Sequence, residues 1–382
     1  MTQFQFSRLA AASLAAAATL GAPLAATAQS VEVTKMCACW VTSLSADGSA
    51  ATGTMNGTSA TFRWTKEKGA RPLGRNTVSH MDGQGAGIPT ISDDGKTIAA
   101  TIMDDTNTYG TQGRWTQGSG WQQLGPMPAD GGIMDSFDSG VFGMSGDGKT
   151  VTGLYWRPGQ QGGSAHGSAW TAATGVVGMS TDGRSSRIDG ANRDGTVLAG
   201  WEEDPQYGFR RAAVWVNGVK TIIGGSGYYA WPSAVTAVNS DGTILVGQDV
   251  DEALQTEVAT MWKWDGSAWQ KTSLGLGPNS DPSGSSYAID VSDDGSVVVG
   301  MYRTSFDTFS SGGFRWTADT GLVDVQAWVE SQGANIGKRV FVFEATSVSH
   351  DGRSMSLVAQ QSTAPYAYRS LLVTQKDQAR VK

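Results

Sequence analysis

A regularly spaced series of seven Asp-Gly pairs runs along the chain, and this repeat constrains the fold more than any other feature. The pairs begin at Asp47, Asp94, Asp147, Asp194, Asp241, Asp294 and Asp351, at intervals of 47 to 57 residues. Each pair follows an apolar or small stretch that ends in Ser or Asn. Each precedes a β-branched run that closes in Gly or Ala, such as "TILVG". A period of this length is typical of repeat architectures such as solenoids and propellers.

Each repeat predicts four short antiparallel strands. Asp-Gly between two apolar runs suits a two-residue hairpin turn of type I′, because that turn needs positive φ at both central positions. After a variable loop comes a strand that carries a tryptophan. These tryptophans are Trp64, Trp115, Trp170, Trp215, Trp264 and Trp316. We expect each ring to fill the space between neighbouring sheets, where full burial contributes about 2–3 kcal/mol.

Four strands in about 50 residues indicate a propeller blade, and the count of repeats predicts seven blades. The last repeat supplies only three strands, whereas the segment "SVEVTKM" (residues 30–36) precedes the first full repeat without a partner of its own. We therefore predict an all-β fold, a single seven-bladed β-propeller in which the N-terminal strand completes the last blade. Six blades, or an eighth built from irregular segments, are the alternatives.

The composition agrees with a compact β-fold. Glycine contributes 51 of 382 residues, charged residues 16%, and there are 14 Trp. Disordered chains and helical bundles have the opposite bias. A net charge of −7 gives no sign of a nucleic-acid or anionic-membrane partner. The three histidines, His80, His166 and His350, fall in different repeats, so we expect no metal site, no Ser-His-acid triad and no cofactor.

The N-terminal segment has the pattern of a secretory signal peptide. One cation, Arg8, precedes a short Ala/Leu run that ends in the small-x-small sequence Ala26-Thr27-Ala28. We predict a signal peptide over residues 1–28 and the propeller over residues 29–382. The mature protein is then exported, periplasmic or extracellular, without membrane insertion, and we expect a monomer. A membrane anchor is the alternative interpretation.

The recurring pattern S-x-D-G-x-x-V-x-G followed by F-R-W-T resembles the HAF-type extracellular repeats of bacteria. The match is best over Val291–Val325, and weaker copies run through most of the chain. The resemblance implies an exported bacterial protein with a propeller-like fold, and it transfers no catalytic residues. A second, fold-level resemblance is to the Asp-box S-x-D-x-G-x-T-W of sialidase-type propellers. Here Gly directly follows the second Asp and the terminal Trp is absent.

The loops after the second strand of each repeat vary most, and binding residues concentrate in variable loops on a rigid scaffold. Their aromatic rings could stack on sugars while their arginines and acids bind hydroxyls. Together with one inter-blade segment, these loops supply the predicted ligand-binding residues: Tyr155, Trp156, Arg157, Trp201, Glu202, Glu203, Tyr228, Tyr229, Trp231, Asp249, Tyr302 and Arg303. The alternative interpretation is that these are ordinary loops whose aromatics cap blade edges.

The hypothesis that these features favour is an exported, non-enzymatic β-propeller that binds a glycan or a cell-surface protein through its loop-rich face. A first alternative is a carbohydrate-active hydrolase or lyase that uses loop carboxylates such as Glu202, Glu203 or Asp249. That chemistry needs two carboxyls about 5–9.5 Å apart in one pocket. A second alternative is a purely structural surface protein. No catalytic residue is predicted.

Cys37 and Cys39 are the only cysteines of the sequence. Two thiols in an exported protein tend to oxidise. If the stretch is a continuous strand, both side chains project to one face about 6.5–7 Å apart. A disulfide across that distance would be strained. A pair of buried small side chains, free or bridged, is therefore the favoured interpretation.

Overall fold

The computed structural model describes residues 31–79, 86–159, 165–180, 183–225, 232–306, 310–364 and 366–376. The predicted signal peptide lies outside the described residues. Within these ranges the strands pair into seven four-stranded antiparallel sheets arranged in a ring. The fold is a seven-bladed β-propeller, which confirms the predicted architecture and blade count.

The strands of the first four blades follow the repeats in chain order. β1 (Val31–Cys37) belongs to the last blade. The first blade consists of β2 (Cys39–Leu44), β3 (Ala50–Met55), β4 (Thr61–Thr65) and β5 (Gly69–Pro72). The second consists of β6 (Thr90–Ile91), β7 (Thr97–Met103), β8 (Gly110–Thr116) and β9 (Gly120–Gln123). The third consists of β10 (Ser139–Met144), β11 (Val151–Trp156), β12 (Ala165–Thr171) and β13 (Gly175–Gly178). The fourth consists of β14 (Ser186–Ala191), β15 (Val197–Glu203), β16 (Arg210–Val216) and β17 (Val219–Ile222).

The remaining three blades complete the ring. The fifth consists of β18 (Ala234–Val238), β19 (Ile244–Asp251), β20 (Thr256–Trp264) and β21 (Trp269–Gly275). The sixth consists of β22 (Ser285–Val291), β23 (Val298–Arg303), β24 (Ser311–Thr317) and β25 (Gly321–Asp324), and α1 (Val325–Ser331) follows it. The seventh consists of β26 (Val340–Val348), β27 (Ser354–Gln361), β28 (Tyr368–Gln375) and β1. The first strand of each blade lines the central channel.

The ring closes by strand pairing between the two ends of the chain. β1 runs antiparallel to β28, with Val31 opposite Gln375 and Val33 opposite Val373. This pairing confirms that the N-terminal strand completes the last blade. The chain bends at Ala38 and then enters the first blade. Cys37 and Cys39 form a disulfide across this bend, which brings their Cα atoms to 5.2 Å, closer than in a continuous strand.

The Asp-Gly turns differ from the predicted geometry. The N–H of Ser45 donates to the carbonyl of Ala50, so four residues separate the paired positions. Within the turn, Asp47 Oδ1 accepts the Ser45 hydroxyl and the N–H of Ser49, both at 2.9 Å. Gly48 has a positive φ of 70°, whereas Asp47 does not. The type I′ prediction is therefore wrong, because side-chain hydrogen bonds stabilise a longer loop that needs positive φ only at the glycine.

Hydrogen bonds also connect each Asp-Gly turn to the next around the ring. Most of them join the backbone of the residue that precedes the Asp in one turn to its counterpart in the neighbouring blade. They are Ala46 to Asp93, Asp93 to Gly146, Asp147 to Arg193, Arg193 to Ser240, Ser240 to the Asp293 carboxylate, Asp293 to His350 and His350 to Ala46. The turns of all seven blades thus form one closed hydrogen-bonded girdle.

The glycine that closes the β-branched run has a steric role in five blades. The first strand of each of these blades carries a β-bulge, and the glycine of the second strand lies opposite it. A Cβ at the glycine would lie 1.9–2.0 Å from a carbonyl oxygen of the bulged strand. These glycines are Gly53, Gly153, Gly200, Gly247 and Gly300. The motif therefore encodes the bulge that presents side chains to the channel.

The repeated tryptophan fills the space between blades as predicted, with one correction. Trp64, Trp170 and Trp215 are at most 5% exposed, whereas Trp115 and Trp316 are half-buried against the apolar clusters of their blades. In the fifth blade the corresponding residue is Trp262, which is fully buried opposite Leu245, whereas Trp264 is 42% exposed. The assignment of Trp264 is wrong, because two tryptophans two residues apart face the same side of a strand and the pattern does not separate them.

Candidate functional site

The central channel has a volume of 310 Å³ and is lined by the first strands of the blades. At its Asp-Gly end, side chains from several blades meet. His350 Nδ1 lies 3.0 Å from Ser240 Oγ and 3.2 Å from Asp293 Oδ2. Its Nε2 lies 3.5 Å from Asp93 Oδ1, and Arg193 Nε lies 3.4 Å from Asp93 Oδ2. These contacts bridge blades across the channel.

The same contacts bring together a serine, a histidine and an aspartate, which the sequence did not predict. His350 is shared between two carboxylates, and the N–H of Ser240 donates to Asp293 Oδ1 at 3.1 Å. Burial raises the pKa of Asp93, and the nearby His350 and Arg193 oppose that effect. Within the described part of the chain, no group of three or more His, Cys, Asp or Glu is arranged to hold a metal ion. The cluster connects the girdle across the channel.

The predicted ligand-binding residues lie mostly at the ends of the second strands, not in loops. Exposure is 5% for Tyr155, 6% for Trp156, 4% for Trp201 and 7% for Tyr302. Arg303 is exposed at the end of β23. Tyr228, Tyr229 and Trp231 lie outside the described residues. The loop placement is wrong for the buried aromatics, because their strands continue for several residues past the glycine that the motif marks.

Two of the predicted acids have their own lysine counter-ions. Glu202 pairs with Lys220 and is 2% exposed. Asp249 is 1% exposed, lies 2.8 Å from Lys271 Nζ, and accepts the N–H of Gly225. The third acid, Glu203, is partly buried. Burial raises its pKa, although hydrogen bonds from Ser185 act in the opposite direction. Glu202 and Asp249 are thus committed to holding neighbouring segments together.

The tyrosines and Arg157 are tied to carboxylates from adjacent segments. The Tyr155 hydroxyl donates to Asp130 at 3.4 Å, and Arg157 Nε lies 2.7 Å from the same side chain. The Tyr302 hydroxyl donates to Asp324 Oδ2 at 2.9 Å. Burial and the Asp324 charge raise the pKa of Tyr302 well above its usual range. Asp324 also caps α1, so these hydroxyls position structural elements.

A second cavity lies on the opposite face of the ring from the Asp-Gly turns, which we call the loop face. It has a volume of 360 Å³ and lies where the seventh blade meets the first. Trp40, Tyr366 and Tyr368 line its apolar side. Its polar side comprises Thr54, Asn56, Ser59 and Ser79. We call this cavity the aromatic groove.

Further rings support the aromatic groove from behind. The ring of Trp40 lies 5.1 Å from that of Phe343 and 5.2 Å from that of Tyr368. Tyr366, at the rim, is 57% exposed. The Asn56 side-chain amide donates to the carbonyl of Tyr368 at 2.8 Å, which fixes the polar side against the aromatic side. Glu344 lies beside Trp40. Burial raises the pKa of Glu344 to about 7, although a hydrogen bond from the Trp40 side chain acts to lower it.

Sequence reasoning missed the aromatic groove because its residues come from the two ends of the chain. The available signal was the density of rings in the last repeat, in "VFVFE" (residues 340–344) and "YAY" (residues 366–368). Nothing in the local pattern places Trp40 next to them. The closure of the ring, in which β1 pairs with β28 and β2 packs against the seventh blade, brings these segments together.

No family model and no curated protein matches the sequence. Among solved structures, the β-propeller domain of the Trilobed protease from Pyrococcus furiosus, described as having an open velcro topology, is similar. It has 13% identity and a TM-score of 0.50, and the match covers 89% of this chain and 97% of that chain. A prolyl endopeptidase is 12% identical with a TM-score of 0.52, over 91% of this chain and 47% of that chain.

TolB from Acinetobacter baumannii is 12% identical with a TM-score of 0.41, over 84% of this chain and 60% of that chain. This chain therefore spans less than two thirds of the length of both TolB and the endopeptidase. At such identities, the likeness to the protease domain and to the endopeptidase shows the propeller fold alone. Separately, α1 has seven residues, and no helix in the described ranges has the length and apolarity that a membrane crossing requires.

Proposed function

We propose that this protein is a non-enzymatic β-propeller that binds a glycan in the aromatic groove. The observation that carries the proposal is that one exposed and two half-buried aromatic rings face a polar wall in one cavity. Its volume of 360 Å³ falls in the range of about 300–1,000 Å³ that is typical of small-molecule sites. This site replaces the buried aromatics that the sequence suggested.

The two sides of the groove match the two chemistries of a sugar ring. The apolar C–H face of a sugar packs on aromatic rings, for which Trp40, Tyr366 and Tyr368 provide the surface. Sugar hydroxyls donate and accept hydrogen bonds, which the amide of Asn56 and the hydroxyl of Ser59 on the opposite side can match. Rings supported from behind lose little conformational freedom on binding, which favours affinity.

We favour binding over hydrolysis because the acids proposed for catalysis are engaged elsewhere. Glu202 and Asp249 are buried against Lys220 and Lys271. Each of these side chains is held by its lysine within the packing of its own blade, so neither is free to approach a substrate. The cavity that we propose as the site contains neither residue in its lining.

Export, a bacterial source, membership of the HAF-type repeats and a monomeric state belong to this proposal. They rest on the signal-peptide pattern of residues 1–28 and on the repeat motif. A binding site on a rigid propeller face suits a protein that meets polysaccharides outside the cytoplasm. A cell-surface protein is the alternative ligand, and the same groove would serve it.

A glycan array followed by calorimetry tests the proposal. We expect at least one polysaccharide or oligosaccharide to bind the full chain, and Tyr366→Ala to weaken its affinity about tenfold or more, since a stacking ring is lost. Tyr207→Ala removes another exposed tyrosine, 42% accessible in the fourth blade, and should leave the affinity unchanged. Absence of binding to every glycan, or equal affinity in Tyr366→Ala, would overturn glycan binding in the groove.

A further inference from the structure

A stack of alternating rings and cations lies between the third and fourth blades, away from the aromatic groove. Phe142 comes from β10, Arg187 from β14, Trp201 from β15 and Arg210 from β16. The Arg187 guanidinium carbon lies 4.1 Å from the centre of the Phe142 ring and 5.8 Å from that of Trp201. The Arg210 guanidinium carbon lies 4.3 Å from the centre of the Trp201 ring. We call these four side chains the arginine stack.

The hydrogen-bond donors of the arginine stack are largely uncommitted. Arg187 Nε donates to Asp189 Oδ1 at 2.6 Å. Arg210 is partly buried, yet among the described residues its guanidinium makes no hydrogen bond and no ion pair within 4 Å. A guanidinium carries five N–H donors in a planar fork that matches the two oxygens of an oxyanion.

A buried donor beside the guanidiniums also has no acceptor. The indole N–H of Trp201, a residue only 4% exposed, has no hydrogen-bond partner in the described part of the chain. The same holds for Trp156, which packs against Phe142. Leaving such a donor unpaired costs about 1–3 kcal/mol, so an acceptor at this place would stabilise the protein.

Charges around the arginine stack leave a positive balance. The groups that face it are Arg187, Arg210 and Arg184 against Asp189 and Glu203, as Asp204 is paired with Arg211 at 3.1 Å. Asp189 Oδ2 is a competing acceptor without a partner of its own. Burial lowers the pKa of Arg210. The like charge of Arg187 lowers it further, because the two cations repel each other.

A ligand can reach the arginine stack from the central channel. Phe142 and Arg187 both line the 310 Å³ channel. Arg187 lies opposite Trp201 near the end of β15, which places the stack towards the loop face and away from the girdle of Asp-Gly turns. The polar cluster around His350 therefore does not block this approach.

From this geometry we propose that the arginine stack binds an oxyanion, a carboxylate or a phosphate group, at the loop-face end of the channel. Arg210 offers its fork and Arg187 adds charge from the channel side, while Trp201 and Phe142 respectively hold these two guanidiniums in stacked orientations. Arginine stacked on an aromatic ring is well suited to planar, two-point recognition of such groups. This site is independent of glycan binding in the aromatic groove.

Calorimetric titration of the full chain with sodium phosphate and, separately, sodium acetate at matched ionic strength tests the proposal. We expect saturable binding of at least one of them, weakened about tenfold or more in Arg210→Gln and in Arg187→Gln, because one charge-assisted contact is lost in each. Arg303→Gln removes an exposed arginine of the same face and should bind like the unaltered protein. Preference for phosphate or for acetate identifies the ligand group.

A second readout does not depend on the folding of any variant. An anion that binds the folded state raises the thermal midpoint of the unaltered protein with increasing concentration. The proposal is overturned if neither anion binds saturably or shifts that midpoint beyond the effect of chloride at equal ionic strength. It is also overturned if Arg210→Gln binds as tightly as the unaltered protein, or if Arg303→Gln loses affinity equally.

Discussion

Glu344 shows how a residue that lines the channel makes stability depend on pH. Burial raises the pKa of its carboxyl to about 7, from 4.5 in an unfolded chain. The folded state therefore binds this proton more tightly, and stability falls as pH rises from 4.5 to 7. Glu344→Gln removes this titrating group. We therefore expect the substitution to change the thermal midpoint more favourably at pH 8 than at pH 4.

The aspartates of the Asp-Gly turns make stability depend on pH in the opposite direction, and the same measurement of the thermal midpoint detects this. Their folded-state pKa values are lowered for Asp47, Asp94, Asp147, Asp194, Asp241 and Asp294. Hydrogen bonds to the ionised carboxylates lower these pKa values. The ionised aspartates therefore stabilise the folded state above the unfolded pKa near 3.8, and this stabilisation is lost at lower pH. Asp47→Asn should therefore destabilise at pH 7 and less so at pH 3. Equal effects of Glu344→Gln on the thermal midpoint at pH 8 and at pH 4 would contradict the expectation for Glu344.

The glycine opposite each bulge gives a steric prediction. A Cβ on Gly200 would lie 2.0 Å from the carbonyl oxygen of Arg187, so Gly200→Ala must displace backbone. We expect a loss of about 2–3 kcal/mol or more in the free energy of unfolding, as in other overpacked sites. Gly190→Ala is the control in the same blade, where the nearest atom is 3.4 Å away, and it should change stability by less than about 1 kcal/mol. Similar losses in both variants, by urea denaturation, would refute the steric explanation.

At the scale of the strand, the register of β20 decides which tryptophan supports the core. Trp262 is fully buried opposite Leu245, whereas Trp264 contacts Trp269 at the outer side with ring centres 5.4 Å apart. Trp262→Ala should cost about 3–5 kcal/mol in the free energy of unfolding, since it leaves a large cavity. Trp264→Ala should cost about 1 kcal/mol or less. Chemical denaturation of both variants measures the difference, and a larger loss for Trp264→Ala would restore the sequence-based assignment.

The strands were predictable where the sequence marks their beginnings and unpredictable where nothing marks their ends. Each second strand begins two or three residues after the glycine of the Asp-Gly pair, and in five blades the bulge requires another glycine five residues after that one. Beyond that glycine, tertiary contacts alone decide how far pairing continues. Trp201 was therefore expected in a loop, although it pairs with Ala212 inside the sheet.

At the scale of the molecule, sites arise between repeats. The seven blades were predictable because six repeats carry a four-strand pattern of their own and the last lacks only the strand that the N-terminal segment supplies. The aromatic groove joins Trp40 to Tyr368, and the arginine stack joins Phe142 of one blade to Arg187 of the next. A repeat pattern contains no information on which side chains face each other across blade boundaries. The candidate sites therefore follow from the radial packing and were beyond prediction from the repeat alone.

The closure of the ring gives the last prediction. β1 pairs with β28 along its length, and Val31 and Val33 pack against the core of the seventh blade. A chain that begins at Ala38 loses this strand and exposes the edge of β28. We expect a loss on the order of 5 kcal/mol from the apolar side chains alone, with a lower thermal midpoint and self-association through the open edge.

The deletion also removes the disulfide, so its control is the full-length Cys37→Ser/Cys39→Ser variant. This disulfide closes a loop of only three residues and lies between two strands that are already paired in their own sheets. Loop-closure entropy assigns it about 1–2 kcal/mol, less than the strand. A peptide of residues 31–37 added to the shortened chain should raise its midpoint, because the seventh blade still presents the partner β28. An unchanged midpoint on deletion, or a loss matched by the cysteine variant, would mean that the girdle of Asp-Gly turns closes the ring without β1.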